Sequence, residues 1–286
     1  MKKIYIDYIT HSMRLSAKTV GNYNYILTKF DERLVTAAKS IDKPEEIKVA
    51  DVYSFIGSLS QKGLTVGTCA WFTDGIKQYL RYCREVLELD VIEYRKIKTP
   101  KIPERKIWFF SKDEKSTILR TFNNGVWYNE IKRLRNKLLT YMLLHTGLRV
   151  HEIAKIKVNE IWENLQVIGK GGRRRFVYLR PEILDMIYLY LWKRKKKSDY
   201  LFDGNKGKHI STDSIRSVYY TFSKRSGIHA HPHKFRHTFA TDVLHVPWSN
   251  IYAVAKLLGH KNISTTQIYL GADNMELKKL QFWLNF

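Results

Sequence analysis

Arginine is the side chain best matched to a phosphate, because its planar guanidinium offers a fork of donors and keeps its charge. Two arginines of this chain sit in settings that invite that role. Arg149 closes the run His145-Thr146-Gly147-Leu148-Arg149 at a helix junction. Glu152 follows one helical turn later, where its carboxylate could orient the guanidinium; taken alone, the same spacing describes an ordinary surface ion pair. Arg236 lies in His231-Pro232-His233-Lys234-Phe235-Arg236-His237. Here His233 and Arg236 are one turn apart and could address one phosphate together, or the segment is simply a capped helix start with surface histidines. His233 and His237 also have the i, i+4 spacing of zinc-binding pairs, but no carboxylate lies between them and no third ligand is evident, so no metal is expected. His260 follows Leu258-Gly259 at a helix end, and Tyr269 closes Thr265-Thr266-Gln267-Ile268-Tyr269. With 18 tyrosines in the chain, none stands out by itself as a nucleophile. Lys170, in Gly169-Lys170-Gly171-Gly172, and the following Arg173, Arg174 and Arg175 read locally as a basic patch, of the kind that contacts DNA phosphates with a salt-dependent affinity.

These residues need a scaffold. In the first part of the chain, apolar residues recur at helical spacing from Ser16 to Leu34, with Ser16 as N-cap, and again over Val49–Leu59 and Val66–Leu87. They predict a small helical bundle over residues 1–95. Residues 96–106 hold two prolines, many cations and no apolar period, and read as a linker. Residues 107–286 are mixed. Leu134, Leu138, Leu139, Met142 and Leu143 predict a helix running into His145–Arg149, and a second helix follows through Ile153 and Ile156. Two strand-favouring runs, Leu165–Ile168 and Arg173–Leu179, flank the glycine turn and predict a β-hairpin. From Pro181 onward the pattern is mostly helical. The expected fold class is therefore mainly α with a small β-hairpin.

The bulk numbers narrow the partners. Lysine and arginine number 50 against 27 acidic residues, a formal charge of +23, while 44% of residues are hydrophobic. The chain can bury a core, and its charge calls for a polyanion, nucleic acid first. An anionic membrane is the weaker choice, since no run of about 18 apolar residues occurs and the start, Met1 to Asp7, has no apolar core of a signal peptide. Two cysteines, Cys69 and Cys83, make neither a disulfide framework nor an all-cysteine zinc site, and reduced thiols in a cytoplasmic protein are expected.

Taken in order, Arg149 with Glu152, Lys170 in a glycine hairpin, His233 and Arg236, His260 and Tyr269 form a series that resembles the tyrosine recombinase (phage integrase) family, most closely its Xer-like simple recombinases. Every catalytic position of the family has a match. Tyr200-Leu201-Phe202 and His237-Thr238-Phe239-Ala240-Thr241 extend the likeness, which is firm over residues 112–272. Ser16-Ala17-Lys18-Thr19 with Tyr23 is similar, more loosely, to the start of the family's core-binding (SAM-like) domain. Phe235 stands where leucine is usual, and Leu270-Gly271-Ala272 departs from the polar residue and histidine of many relatives.

The resemblance implies a site-specific recombinase in which Tyr269 attacks a backbone phosphate of double-stranded DNA, leaving a 3′-phosphotyrosine and a free 5′-hydroxyl without a cofactor. It implies Arg149 and Arg236 as clamps on the phosphate oxygens, His233 as base, Lys170 as acid to the leaving oxygen, His260 as a hydrogen-bond donor and Glu152 as support. It further implies a homotetramer on paired recombination sites. The apolar end, Met275, Leu277, Leu280, Phe282, Trp283, Leu284 and Phe286, either packs on its own core or docks into a neighbouring protomer. Two rivals remain: a type IB topoisomerase-like enzyme, separated by relaxation of any supercoiled plasmid, and a non-catalytic DNA-binding module, for which substitution of Tyr269 would cost nothing beyond affinity.

Overall fold

A computed structural model of the chain describes residues 1–103, 108–124, 129–169, 174–194, 198–247 and 249–259. The chain divides into two compact units, Met1–Arg105 and Lys106–Phe286.

The first unit is helical. A short α1 (Lys2–Asp7) leads to α2 (Ala17–Val35), α3 (Val49–Gln61) and α4 (Val66–Glu85). The expected cap is present, since Ser16 Oγ accepts the Thr19 backbone N–H at 3.3 Å, and Thr65 caps α4 in the same way through Thr68. The apolar faces meet through Phe30, Phe55 and Phe72, whose rings pack in a chain with centroids 5.4 and 5.5 Å apart. Cys69 and Cys83 are buried free thiols. The opening residues of the proline-containing stretch belong to this packing. Ile97, one of its few apolar residues, is fully buried, and Lys98 N–H donates to Tyr53 Oη at 3.0 Å.

The second unit is built around α6 (Glu130–Thr146), whose Leu138, Leu139, Met142 and Leu143 are inaccessible to solvent. Against it pack α5 (Lys112–Asn124), α8 (Pro181–Arg194) and α10 (Pro232–Leu244). Between α6 and α8 lie α7 (Val150–Ala154) and an antiparallel hairpin of β1 (Asn164–Ile168) and β2 (Arg174–Tyr178), in which Asn164 faces Tyr178 and Ile168 faces Arg174. Two further described helices are α9 (Thr212–Ser226) and α11 (Ile251–Leu258). The architecture is mainly α with one small hairpin, as the hydrophobic periods predict. No described helix is long and apolar enough to cross a membrane.

Phe235 has a packing reason for its departure from leucine. Fully buried on α10, its ring stands edge-on to Phe110 (centroids 4.8 Å apart) and leans on Tyr219 (4.7 Å), so it joins α10 to α9 and to the strand of chain before α5. Truncating such a side chain removes the transfer term and leaves a cavity. Phe235→Ala is expected to lower the unfolding free energy by about 3–5 kcal/mol, read as a fall in urea midpoint at unchanged slope.

Candidate active site

Helix α6 ends at Gly147, which adopts a left-handed φ of +60°. Any side chain there would run into the ring of Phe239, so glycine answers both the backbone sign and the space. The chain then swings into an extended residue, Arg149 (φ −75°, ψ 149°), which stands at the N-cap of α7. Glu152, in the first turn of that helix, accepts the Arg149 backbone N–H at 2.7 Å through Oε2. A carboxylate at this place satisfies an orphan donor and sits well on the helix dipole.

The carboxylate is far from the exposed ion pair that its spacing alone allows. The Glu152 side chain is 1% exposed and binds two guanidinium groups. Arg149 Nη1 reaches Oε1 at 3.2 Å, while Arg175 donates Nη1 to Oε1 at 2.9 Å and Nη2 to Oε2 at 2.7 Å. Burial by itself pushes the Glu152 carboxyl up. The hydrogen bonds from the Arg175 side chain and the Arg149 backbone, with the charges of both arginines, outweigh it and hold the group at about 2. Arg149 keeps 27% of its side chain open to solvent.

Arg175 stands apart in the basic run of the sequence reading. Grouped there with Arg173 and Arg174 as a DNA contact, it points into the protein, because side chains alternate along β2: Arg174, Phe176 and Tyr178 are exposed, whereas Val177 is buried and Arg175 is 9% exposed. Its Nε also donates to the carbonyl of Leu257 at 3.1 Å, in the last turn of α11. Arg174 remains on the outer face.

Helix α10 supplies the second arginine. Pro232 occupies its first turn, and the His231 ring caps it, Nδ1 accepting the Lys234 N–H at 3.2 Å. One turn on, the buried Arg236 donates Nη1 to the carbonyl of Gly147 and Nη2 to that of Leu258, the latter at 2.7 Å. Thus Arg236 joins the C-terminal ends of α6 and α11, two places where helices leave carbonyls without intrahelical partners. His233 lies within the field of Arg236, Arg216 and Arg149. Burial first, and then these three positive charges, hold its imidazole below the ordinary histidine value. His237 is pushed down to about 4 by burial, then by His233, His231 and Arg236. Both rings are neutral at pH 7. Among the described residues no cluster of three or more histidine, cysteine, aspartate or glutamate side chains could hold a metal ion.

The structure therefore brings Arg149, Glu152, His233 and Arg236 together. Lys170, Arg173, His260 and Tyr269 lie outside the described residues, as does the apolar stretch from Met275 to Phe286. Two neighbours were not singled out from sequence. Lys234 is buried, with Nζ 4.3 Å from the centre of the Phe110 ring and 3.2 Å from Glu114 Oε1, tying α10 to α5. Arg216 adds charge near His233 from α9. The burial of Lys234 leaves no local signal, since its partners Glu114 and Phe110 are remote in sequence.

The chain is similar to known proteins over most of its length. The description of the phage integrase family matches residues 109–276. Tyrosine recombinase XerA of Pyrococcus horikoshii is 30% identical over 271 residues, covering 92% of this chain and 86% of that protein. Among solved structures, the XerH site-specific recombinase bound to palindromic difH substrate in a post-cleavage complex aligns with a TM-score of 0.77 at 21% identity, over 92% of this chain and 79% of that one. A lambda integrase tetramer bound to a Holliday junction aligns with a TM-score of 0.70 at 17% identity, over 91% of this chain and 76% of that one.

The state of Glu152 gives a stability test with a definite sign. Its folded-state value lies below the ordinary 4.5, so its contribution is complete above that pH and is lost as pH falls towards about 2. Glu152→Gln is expected to cost on the order of 3 kcal/mol at pH 7. The difference from wild type, measured by urea unfolding, should stay constant above pH 4.5 and narrow below it.

Proposed function

The chain belongs to the phage integrase family of tyrosine recombinases, and on that premise we propose that it is an Xer-like site-specific recombinase acting on paired sites in double-stranded DNA. Membership of the family carries DNA strand breakage and rejoining through a phosphotyrosine link. The finer reading rests on one observation: Arg149 and Arg236 are anchored on either side of Gly147, with a neutral His233 in the field of both.

Each side chain then has a task. Arg149 and Arg236 hold the non-bridging oxygens of the scissile phosphate and stabilise the charge that builds on it. Loss of one preorganised donor of this kind typically costs about 10²–10³ in rate. Tyr269 is the nucleophile and forms the 3′-phosphotyrosine. A free phenol has a pKa of about 10, so its proton needs an acceptor, and a histidine kept neutral by burial and neighbouring cations is ready to take one. Lys170 protonates the leaving 5′ oxygen, His260 donates a hydrogen bond to the phosphate, and Glu152 holds Arg149. Arg173 and Arg174 contact flanking phosphates.

The helical unit, residues 1–95, is the core-binding domain that grips the DNA, and residues 107–286 form the catalytic domain. Four protomers assemble on two sites, as the lambda integrase structure does on its junction, with the apolar end of each chain docking into a neighbour. The enzyme works in the cytoplasm.

Nicked duplexes test the chemistry, since a nick beside the cut lets the short fragment leave and traps the covalent product. Wild-type protein without added metal should give a protein–DNA adduct on a denaturing gel, and Tyr269→Phe none while still binding. Arg149→Ala or Arg236→Ala should slow adduct formation by about 10²–10³; normal cleavage by either would remove the clamp.

The pH profile tests the base. With His233 held below the ordinary range, the cleavage rate should persist through pH 6.5, where a free imidazole is half protonated, and fall only at lower pH. A half-loss at or above pH 6.5 would remove His233 from the role.

A further inference from the structure

Arg175 has no part in the tasks assigned above, yet it joins two elements of the site to its own strand. It approaches Glu152 with a two-pronged contact, the geometry in which a guanidinium outperforms an ammonium. Its third donor, Nε, fixes the Leu257 carbonyl at the end of α11. The next carbonyl, Leu258, is the one held by Arg236. The fit around the side chain is close. A methyl group placed on Gly259 would lie 3.0 Å from Arg175 Cδ and 3.2 Å from Nη1, so the left-handed glycine that ends α11 also makes room for the guanidinium.

Three elements thus meet at one side chain. Strand β2 carries Arg175 itself, α7 carries the Glu152 that holds Arg149, and α11 leads by sequence into His260. We propose that Arg175 is a positioning residue of the strand-cleavage site, acting through Glu152 on Arg149 and through Leu257 on the end of α11, and making no contact with the DNA. The proposal rests on the recombinase reading. Glu152 shared with Arg175 can bond Arg149 only along a narrow set of directions, so the second arginine fixes where the first one points. A carboxylate released from Arg175 would be free to turn fully towards Arg149 and draw it away from the phosphate.

A phosphate contact and a positioning contact differ in what their loss does. Removing a phosphate contact weakens binding uniformly and lowers the slope of log affinity against log salt by about one. Removing a positioning group leaves binding alone and slows the chemistry, where a misplacement of about 1 Å can cost 10²-fold. Arg175→Lys, Arg175→Met, Glu152→Gln and the double variant Arg175→Met with Glu152→Gln would be compared with wild type in the nicked-duplex assay. DNA affinity at several salt concentrations and cleavage at saturating DNA would both be read.

The expected result is wild-type affinity and salt slope for both Arg175 variants, with cleavage down by about 10²-fold. The lysine variant should fare little better than methionine, because it cannot bridge both carboxylate oxygens and Leu257. The double variant should lose no more than the worse single one, since the two residues act in series. A salt slope reduced by one would show a phosphate contact and overturn the proposal. So would wild-type cleavage by Arg175→Lys, or losses that multiply in the double variant. A cooperative urea transition certifies the fold of each variant, and Arg175→Lys keeps the charge should the methionine protein fail to fold. Absence of an adduct from the wild type would count against the recombinase reading instead.

Discussion

The Glu152 carboxylate is taken out of water, and every other feature of the site depends on how that is tolerated. An ionised carboxylate in the interior is costly unless its oxygens are occupied. Here the Arg149 backbone, the Arg149 side chain and both prongs of Arg175 occupy them. The interaction does not need to add much net stability to matter. It turns two flexible cations, from a helix start and from a strand, into groups with one direction each, and the hairpin, α7 and the end of α11 are held in register around it.

The same economy recurs at the helix ends. Helices α6 and α11 both stop at a left-handed glycine, Gly147 and Gly259, and both offer carbonyls with no intrahelical partner. Arginines take them up: Arg236 spans Gly147 and Leu258, and Arg175 takes Leu257. Helix C-termini carry partial negative charge, so a guanidinium is stabilised there without meeting a full anion. Burial of these arginines thereby follows from the fold, and the positions of two glycines fix where they go.

Much of this is legible in the sequence. The helical periods give the bundle and α6, Ser16 gives its cap, the glycine turn gives the hairpin, and the Arg149–Glu152 and His233–Arg236 spacings place each pair on one turn. What the spacing leaves open is depth and direction. Glu152 reads equally as a surface partner, because its second arginine is 23 residues away and the carbonyl that steadies that arginine is 82 residues further on. The inward turn of Arg175 was available in principle, since Val177 two residues later must face the core and the strand period is two, but a run of three arginines reads first as a patch. Lys234 gives no such hint: its burial depends on Glu114 and Phe110, both more than a hundred residues earlier.

The charge count around the site ties the anchoring to the proposed chemistry. Among the described side chains joined here, Arg149, Arg175 and Arg236 carry positive charge and Glu152 negative charge, so the positive sign prevails. Arg236 gives two of its donors to neutral carbonyls, those of Gly147 and Leu258. The histidines nearby, His233 and His237, are kept neutral by burial first and then by neighbouring groups that include Arg236. A phosphodiester carries one negative charge, and the five-coordinate state reached when an alkoxide or phenolate adds to it carries two. A site in which fixed positive charge prevails favours the second over the first. Sharing one carboxylate between Arg149 and Arg175, while Arg236 fixes two helix ends, keeps positive charge where the transition state needs it.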